Sequence, residues 1–308
     1  MKQAILFPGQ GTQTIGMGKD FYDSFQQAKD VFNEVDDALN YNLSNLIFNG
    51  DIDELTLTQN AQPALMTVSM AIWAVLQKQA NLNIKDFSYA AGHSLGQYSA
   101  LCAAQSLTLK DTACLLCARG AAMAQACLEN TGAMAAVIGL DRQAVQEIAD
   151  KTNTFIANDN ATGQIVISGL KEDVINACEI STQQGAKRAI TLNVAGAFHS
   201  PLMQSAQIKM KPLIEQAGIQ KAQIPVVSNV KVLPLIDEKD IKEDLILQIT
   251  GQVEWTKTQH YLKQNGVEEV LELGAGNVLA GLMRRTEPDI KVYTINNVAS
   301  LEAYLNKE

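Results

Sequence analysis

The stretch YAAGHSLGQYSA (residues 89–100) sets one serine, Ser94, between Gly92 and Gly96. The short run DFSYAAG leads into it, and LGQYSALCAAQ continues with the composition of a helix. Gly-X-Ser-X-Gly between a strand and a helix is the pattern of a nucleophile elbow. The turn is sharp, and glycines two before and two after the serine remove the Cβ atoms that would clash. A helix beginning at Leu95 aims its free N–H groups at any oxyanion formed on the substrate of Ser94. The same five residues also fit a plain structural turn; the strand–turn–helix setting favours the nucleophile.

On either side the chain alternates between strands and helices. QAILFPGQ reads as a strand ending at Pro8-Gly9. Residues 18–39 carry apolar side chains at Phe21, Phe25, Ala28, Val31, Phe32 and Val35, the three- and four-residue gaps of one helix. Asn60 or Gln62 before Pro63 suits a helix start. KDTACLLCARGAAMAQACLE predicts a further helix. The rhythm then changes. GAMAAVIGL, DRQAVQEIADKT, TFIANDN, GQIVISGL, KEDVINACEISTQQG and AKRAITLNV read in order as β-α-β-β-α-β, the ferredoxin-like order. Alternation resumes with helices at SPLMQSAQIKMKPLIEQAG, WTKTQHYLKQNG and NVLAGLMRRT, and strands at IPVVSN, VEEVLELGA and IKVYTIN. The prediction is an α/β protein with a mostly parallel sheet covered on both faces. Residues 128–195 form a small ferredoxin-like insert, and residues 1–127 with 196–308 form the large unit.

Composition narrows the function. The 308 residues are 47% hydrophobic, enough for a substantial core. Twenty-four basic against 33 acidic residues leave a charge of −9, which argues against nucleic acid as a partner. The apolar run ALMTVSMAIWAVL (64–76) is 13 residues long, short of the roughly 20 that cross a bilayer, and reads as a buried core helix. No membrane association and a cytoplasmic location are expected. Cys114 and Cys117 read C-x-x-C but lie in an apolar helical run with no second ligand pair, so the five cysteines are expected to be buried structural thiols. No metal site is expected.

An elbow serine needs a base, and the chain has three histidines. His93 is the neighbour of Ser94, so its side chain diverges and a supporting role fits it. His260 is flanked by polar residues and reads as solvated. His199, in NVAGAFHSPLM, lies where the insert returns to the large unit and a cleft is expected. By elimination His199 is the base. No acid lies within nine positions of it, which permits a carbonyl instead of a carboxylate on the second ring nitrogen. Arg119 has Leu115, Leu116, Ala122 and Met123 as its helix-face neighbours and no carboxylate. Such a guanidinium takes its partner from another element or from a substrate carboxylate, which its planar fork grips with two hydrogen bonds. FPGQGTQ (7–13) lacks the P-loop ending and reads better as the second N–H source of an oxyanion hole.

Taken together, FPGQGTQ, GHSLGQYSA, Arg119-Gly120, ANDNATGQIVISG, GAFHSPLM, and QITGQVEWT followed by ELGAGNVLAGL resemble the malonyl-CoA:acyl carrier protein transacylases and the related acyltransferases of polyketide synthases. The resemblance runs from Phe7 to about Arg285. It implies a hydrolase-like α/β domain with a ferredoxin-like insert and a site in the groove between them. It implies Ser94 as nucleophile, His199 as base and Arg119 as the clamp of the malonyl carboxylate. Gln10 and Leu95 supply oxyanion-hole N–H groups, and the Gln248 backbone carbonyl holds His199. GAFH associates Phe198 with malonyl rather than methylmalonyl units; His93 and Met123 complete the expected pocket. The implied substrates are malonyl-CoA and the phosphopantetheine thiol of acyl carrier protein, for fatty-acid or polyketide synthesis, with no bound cofactor and a monomeric enzyme. Lys187, Arg188, Lys257, Arg284 and Arg285 are the basic candidates for docking an acidic carrier. Three departures stand out: Gln97 where the elbow block usually has glutamate, Gln252 for a usual proline, and GAGN for a usual Gly-Pro-Gly. The rival readings are a serine acyl-thioester hydrolase and a non-catalytic carrier-binding protein on the same fold.

Overall fold

The computed structural model describes residues 2–306. Strand β1 (Lys2–Phe7) is apolar toward both faces, and Ala4 to Phe7 are fully buried. That is the pattern of a central strand in a parallel sheet covered on both sides. The helix expected over residues 18–39 is broken. α1 (Lys19–Ser24) and α2 (Gln26–Leu39) meet at Phe25, whose backbone is extended (φ −131°, ψ 127°). The bend lets Phe21 and Phe32 enter one core while the Phe25 ring rests 6.0 Å from that of Phe21. Two short helices follow, α3 (Leu43–Asn49) and α4 (Ile52–Thr56), each capped by the side chain before it, Asn42 and Asp51.

The long buried helix α5 (Thr58–Gln79) starts before Pro63 rather than at it. Pro63 lies in the second turn, where it lacks the N–H that a helical bond to the Gln59 carbonyl would use, and its own carbonyl accepts the Thr67 hydroxyl at 2.7 Å. β2 (Tyr89–Gly92), α6 (Gly96–Ala103) and α7 (Leu109–Glu129) come next. α5 and α7 cross at Gly120, where a Cβ would collide with the Thr58 carbonyl and the Gln59 backbone. Glycine therefore sets the separation of the two helices, and Arg119 is the adjoining residue.

The next segment is β3 (Gly132–Ile138), α8 (Arg142–Thr152), β4 (Phe155–Ala161), β5 (Gln164–Leu170), α9 (Lys171–Gln183) and β6 (Arg188–Thr191). Its four-stranded sheet has the order β4-β5-β3-β6 with every pair antiparallel. It has a core of its own built on Val137, Ile148, Ile165, Ile167 and Val174. The chain continues with α10 (Gln204–Gln216), β7 (Val226–Val227), β8 (Pro234–Leu235), α11 (Glu238–Gln248), α12 (Trp255–Gln264), β9 (Val267–Leu273), α13 (Val278–Thr286), β10 (Lys291–Ile295) and α14 (Val298–Leu305).

The larger sheet has the order β10-β9-β1-β2-β7-β8 and is parallel except for β8. The α/β class with a mostly parallel sheet and a smaller ferredoxin-like sheet is thus the observed architecture. The strand expected over IPVVSN shrinks to two residues, which leaves Asn229 free to leave the ladder. The sheets meet where Asp159 N–H donates to Val253 O (2.9 Å) and Val253 N–H donates to Ala157 O (2.8 Å).

No helix among the described residues is long and apolar enough to cross a membrane. The expectation of uniformly buried thiols does not hold: Cys102 is buried, but Cys114 is exposed and the other three are partly exposed. Cys114 lies on the outer stripe of α7, a face the local composition did not distinguish. Replacing Gly120 with alanine is expected to force α5 and α7 apart and cost about 1–3 kcal/mol, measured as a lowered midpoint of urea unfolding.

Candidate active site

Ser94 follows β2 directly and has a left-handed backbone (φ 52°). Non-glycine residues hold that conformation only where their surroundings over-determine it, and here they do. A Cβ on Gly92 would run into the Gly96 carbonyl, and one on Gly96 into the Phe7 carbonyl. The Ser94 N–H donates to Asn229 Oδ1 at 2.7 Å, and Asn229 Nδ2 donates to Gly92 O at 2.8 Å. Asn229 thus staples both ends of the turn. It was not singled out in the sequence, where it is one polar residue after a short apolar run.

His199 also has a left-handed backbone (φ 54°) and is nearly fully buried. Its Nε2 lies 2.8 Å from Ser94 Oγ. Its Nδ1 lies 3.0 Å from Gln248 O and 3.1 Å from Gly251 O. Carbonyls only accept, so Nδ1 carries the proton and Nε2 is left to accept the serine O–H. Burial first, then the Arg119 charge and His93, push the imidazole down to about 3, against the opposing pull of the two carbonyls. His93 Nε2 is 2.8 Å from Asn160 Oδ1, and its ring lies 5.5 Å from that of Trp255. Burial lowers its pKa as well. His260, read as solvated, is 44% exposed and lies 2.5 Å from Glu287 Oε1, just past the end of α13.

Arg119 is 1% exposed. Its Nη1 donates to Gln62 Oε1 at 2.7 Å; its Nη2 donates to Gln248 Oε1 at 2.9 Å and to Ser94 Oγ at 3.1 Å. The guanidinium carbon stands 5.6 Å from the centre of the Tyr98 ring. Its Nε has no acceptor, and no carboxylate pairs with it among the described residues. Gln62 reaches the site because α5 begins before Pro63. A polar residue in the second turn of an otherwise apolar helix was the available signal for it.

Of the residues expected from sequence, Ser94, His199, Arg119, Gln10, Leu95, His93, Met123 and Phe198 all line one pocket. Gln248 lies behind it and meets His199 through its carbonyl. The backbone N–H groups of Gln10 and Leu95 have no acceptor among the described residues. Among those residues there is no group of three or more His, Cys, Asp or Glu side chains that could hold a metal ion.

The acyl transferase domain family matches residues 5–249. The malonyl CoA-acyl carrier protein transacylase of Bacillus subtilis (strain 168) is 43% identical over 98% of this chain and 95% of its own length. The acyl-carrier-protein S-malonyltransferase structure from Bartonella henselae superposes with a TM-score of 0.95 at 48% identity, covering 99% of this chain and 98% of that one. A malonyl-transacylase solved in complex with its type II PKS acyl-carrier protein superposes at 0.94 and 37% identity over the whole of both chains. The class is therefore that of an acyltransferase. Within it, the chain belongs to the malonyl CoA-acyl carrier protein transacylase family.

A neutral His199 has two measurable consequences. Its ring should stay unprotonated from about pH 8 to pH 5, with no inflection near 6.5 in long-range 1H–15N spectra. The unfolded chain takes up protons on His93 and His199 near their ordinary pKa, whereas the native chain does not. Their contribution to stability is thus complete above about pH 6.5 and is lost as the pH falls below it.

Proposed function

We propose that this chain transfers the malonyl group of malonyl-CoA to the phosphopantetheine thiol of acyl carrier protein through a malonyl-serine intermediate. The observation that carries the reading is that one hydroxyl, Ser94 Oγ, contacts both a neutral imidazole and a buried guanidinium that has no carboxylate partner among the described residues. Ser94 attacks the thioester carbonyl while His199 Nε2 takes its proton. The free N–H groups of Leu95 and Gln10 receive the oxyanion, at about 3 kcal/mol for each such donor. The tetrahedral intermediate collapses, the C–S bond breaks, and His199 returns its proton to the departing thiolate of coenzyme A. The carrier's thiol then attacks the acyl-serine, giving its proton to His199, and Ser94 is released with that proton. The scheme is ping-pong and calls on no bound cofactor.

Arg119 selects the acyl group in this reading, because an acetyl unit offers it no anion. The names of the relatives, malonyl transacylases and one solved with a carrier protein, support the same substrate and acceptor. The reading extends to fatty-acid or polyketide synthesis, a monomeric cytoplasmic enzyme, and residues 128–195 as an insert between 1–127 and 196–308. The two sheets and the segment's own apolar cluster support that division, while Met134, Ala157 and Val166 of the segment pack into the main core. Among the basic docking candidates, Lys257 pairs with Glu254 and Arg285 donates to Gln164 of β5, so Lys187, Arg188 and Arg284 are the more available.

Mass spectrometry after mixing with malonyl-CoA should find a malonyl adduct that Ser94→Ala lacks; an adduct on the variant removes Ser94 from the mechanism. Arg119→Ala should lower malonyl transfer about a hundredfold relative to acetyl transfer. Equal losses for both donors would end the clamp assignment.

A further inference from the structure

Beneath the pocket lies a buried polar chain that the mechanism above does not use. Gln248 Nε2 donates to Gln97 Oε1 at 3.0 Å, and Gln97 Nε2 donates to Asp244 Oδ2 at 2.7 Å. All three side chains are fully buried. Each amide has its orientation fixed by a backbone group that can play only one part. Gln97 Oε1 accepts the Asn229 N–H at 3.1 Å, so its NH2 must face Asp244. Gln248 Nε2 donates to Ser94 O at 3.0 Å, so its carbonyl must face Arg119. Ser228 Oγ accepts the Val230 and Lys231 N–H groups at 3.1 and 2.8 Å, so its hydroxyl hydrogen goes to Asp244 Oδ1. Asp244 therefore accepts on both oxygens, as a carboxylate does.

We infer that Asp244 is the remote counter-ion of Arg119, joined to it through the aligned side-chain amides of Gln97 and Gln248. Every hydrogen bond in the chain runs one way, from guanidinium to Gln248, from Gln248 to Gln97, and from Gln97 to carboxylate. The backbone contacts hold both amide dipoles in line, with the anion accepting at the inner end and a carbonyl facing the cation at the outer end. Asp244 and Gln97 are positioning residues: they fix Arg119 without occupying the donors that a substrate carboxylate needs. No salt bridge reaches Asp244 among the described residues; the nearby Lys231 acts on it only at longer range. The glutamate usual at position 97 in the elbow block has no room as a second anion here, since its free oxygen would face Asp244 Oδ2.

The inference rests on Arg119 as the carboxylate clamp, and its test is the ratio of malonyl to acetyl acylation rates of Ser94 in the full chain. Asp244→Asn removes the anion and sets one new NH2 against a partner that cannot accept it, either the Gln97 NH2 or the Ser228 hydroxyl that already accepts two N–H groups. Gln97→Glu opposes two carboxylates, an acceptor against an acceptor. Each single change should lower the ratio about tenfold. The double variant Gln97→Glu with Asp244→Asn restores every donor–acceptor match with the charge moved one residue closer, and should return the ratio to within about threefold of the parent.

Malonyl and acetyl rates falling in step, an unchanged ratio in Asp244→Asn, or no recovery in the double variant overturns the inference. Should Asp244→Asn fail to fold, Gln97→Glu against the double variant decides by the same ratio. Arg119→Ala, measured alongside, separates the two readings. An unchanged ratio there removes the clamp itself; a lowered ratio there with an unchanged one in Asp244→Asn removes only the counter-ion.

Discussion

The structure is organised around a guanidinium held out of water with no carboxylate against it among the described residues. Stripping a buried cation of its partner costs about 3–5 kcal/mol in proteins, so such a group persists only if dipoles and donors' acceptors surround it. Arg119 has two glutamine carbonyls, the serine hydroxyl and the face of Tyr98. Burial holds the Tyr98 hydroxyl up at about 12, so that neighbour stays neutral. Each of these partners reaches the cation for a structural reason. Gln62 comes through the close crossing of α5 and α7 that Gly120 allows, and Gln248 comes from the last turn of α11. Ser94 comes from the strained turn after β2.

The same charge shapes the histidine. A cation beside His199 opposes its protonation, and burial opposes it more strongly. An imidazole kept neutral is ready to take a proton, but it is a weak base at equilibrium. The two carbonyls on Nδ1 offset part of that deficit, because an imidazolium would bind them more strongly than imidazole does. A carboxylate in their place would raise the basicity further. It would also put an anion beside the site where, on the proposed function, Arg119 attracts one. Carbonyl dipoles fix the tautomer without that conflict.

Much of this was legible in the sequence because it follows from local pattern. The elbow is written in Gly92, Ser94 and Gly96, and the antiparallel sheet in the β-α-β-β-α-β rhythm of residues 132–191. Arg119 stood out as a charge on an apolar helix face. What the sequence hid depends on tertiary contact. The break at Phe25 keeps helical spacing on both sides, so periodicity runs straight through it. Pro63 suggested a helix start because the turn before it carries little apolar pattern. Asn229 and Asp244 each look like ordinary surface polar residues. Asp244 sits in EKDIKEDLILQ, whose charges suggest a solvated face, yet Ile241, Asp244, Leu245 and Gln248 all point inward.

The two least regular features of the sequence explain each other once they are adjacent. A glutamine in the elbow block where glutamate is usual and a buried aspartate on a charged helix are each anomalous alone. In contact they form one donor–acceptor pair, and the surrounding backbone groups leave that pair a single proton arrangement. A network pinned in this way cannot relax by flipping one amide, because each flip opposes a backbone N–H to an NH2 or a carbonyl to a carbonyl. The Gln248 carbonyl that faces Arg119 is therefore held in place by the backbone on one side and by the chain of amides ending at Asp244 on the other. A direct carboxylate on Arg119 would satisfy the cation and close the site to an anionic acyl group. On the proposed reading, a carboxylate two amides away stabilises the cation and leaves the pocket face of the guanidinium to the substrate.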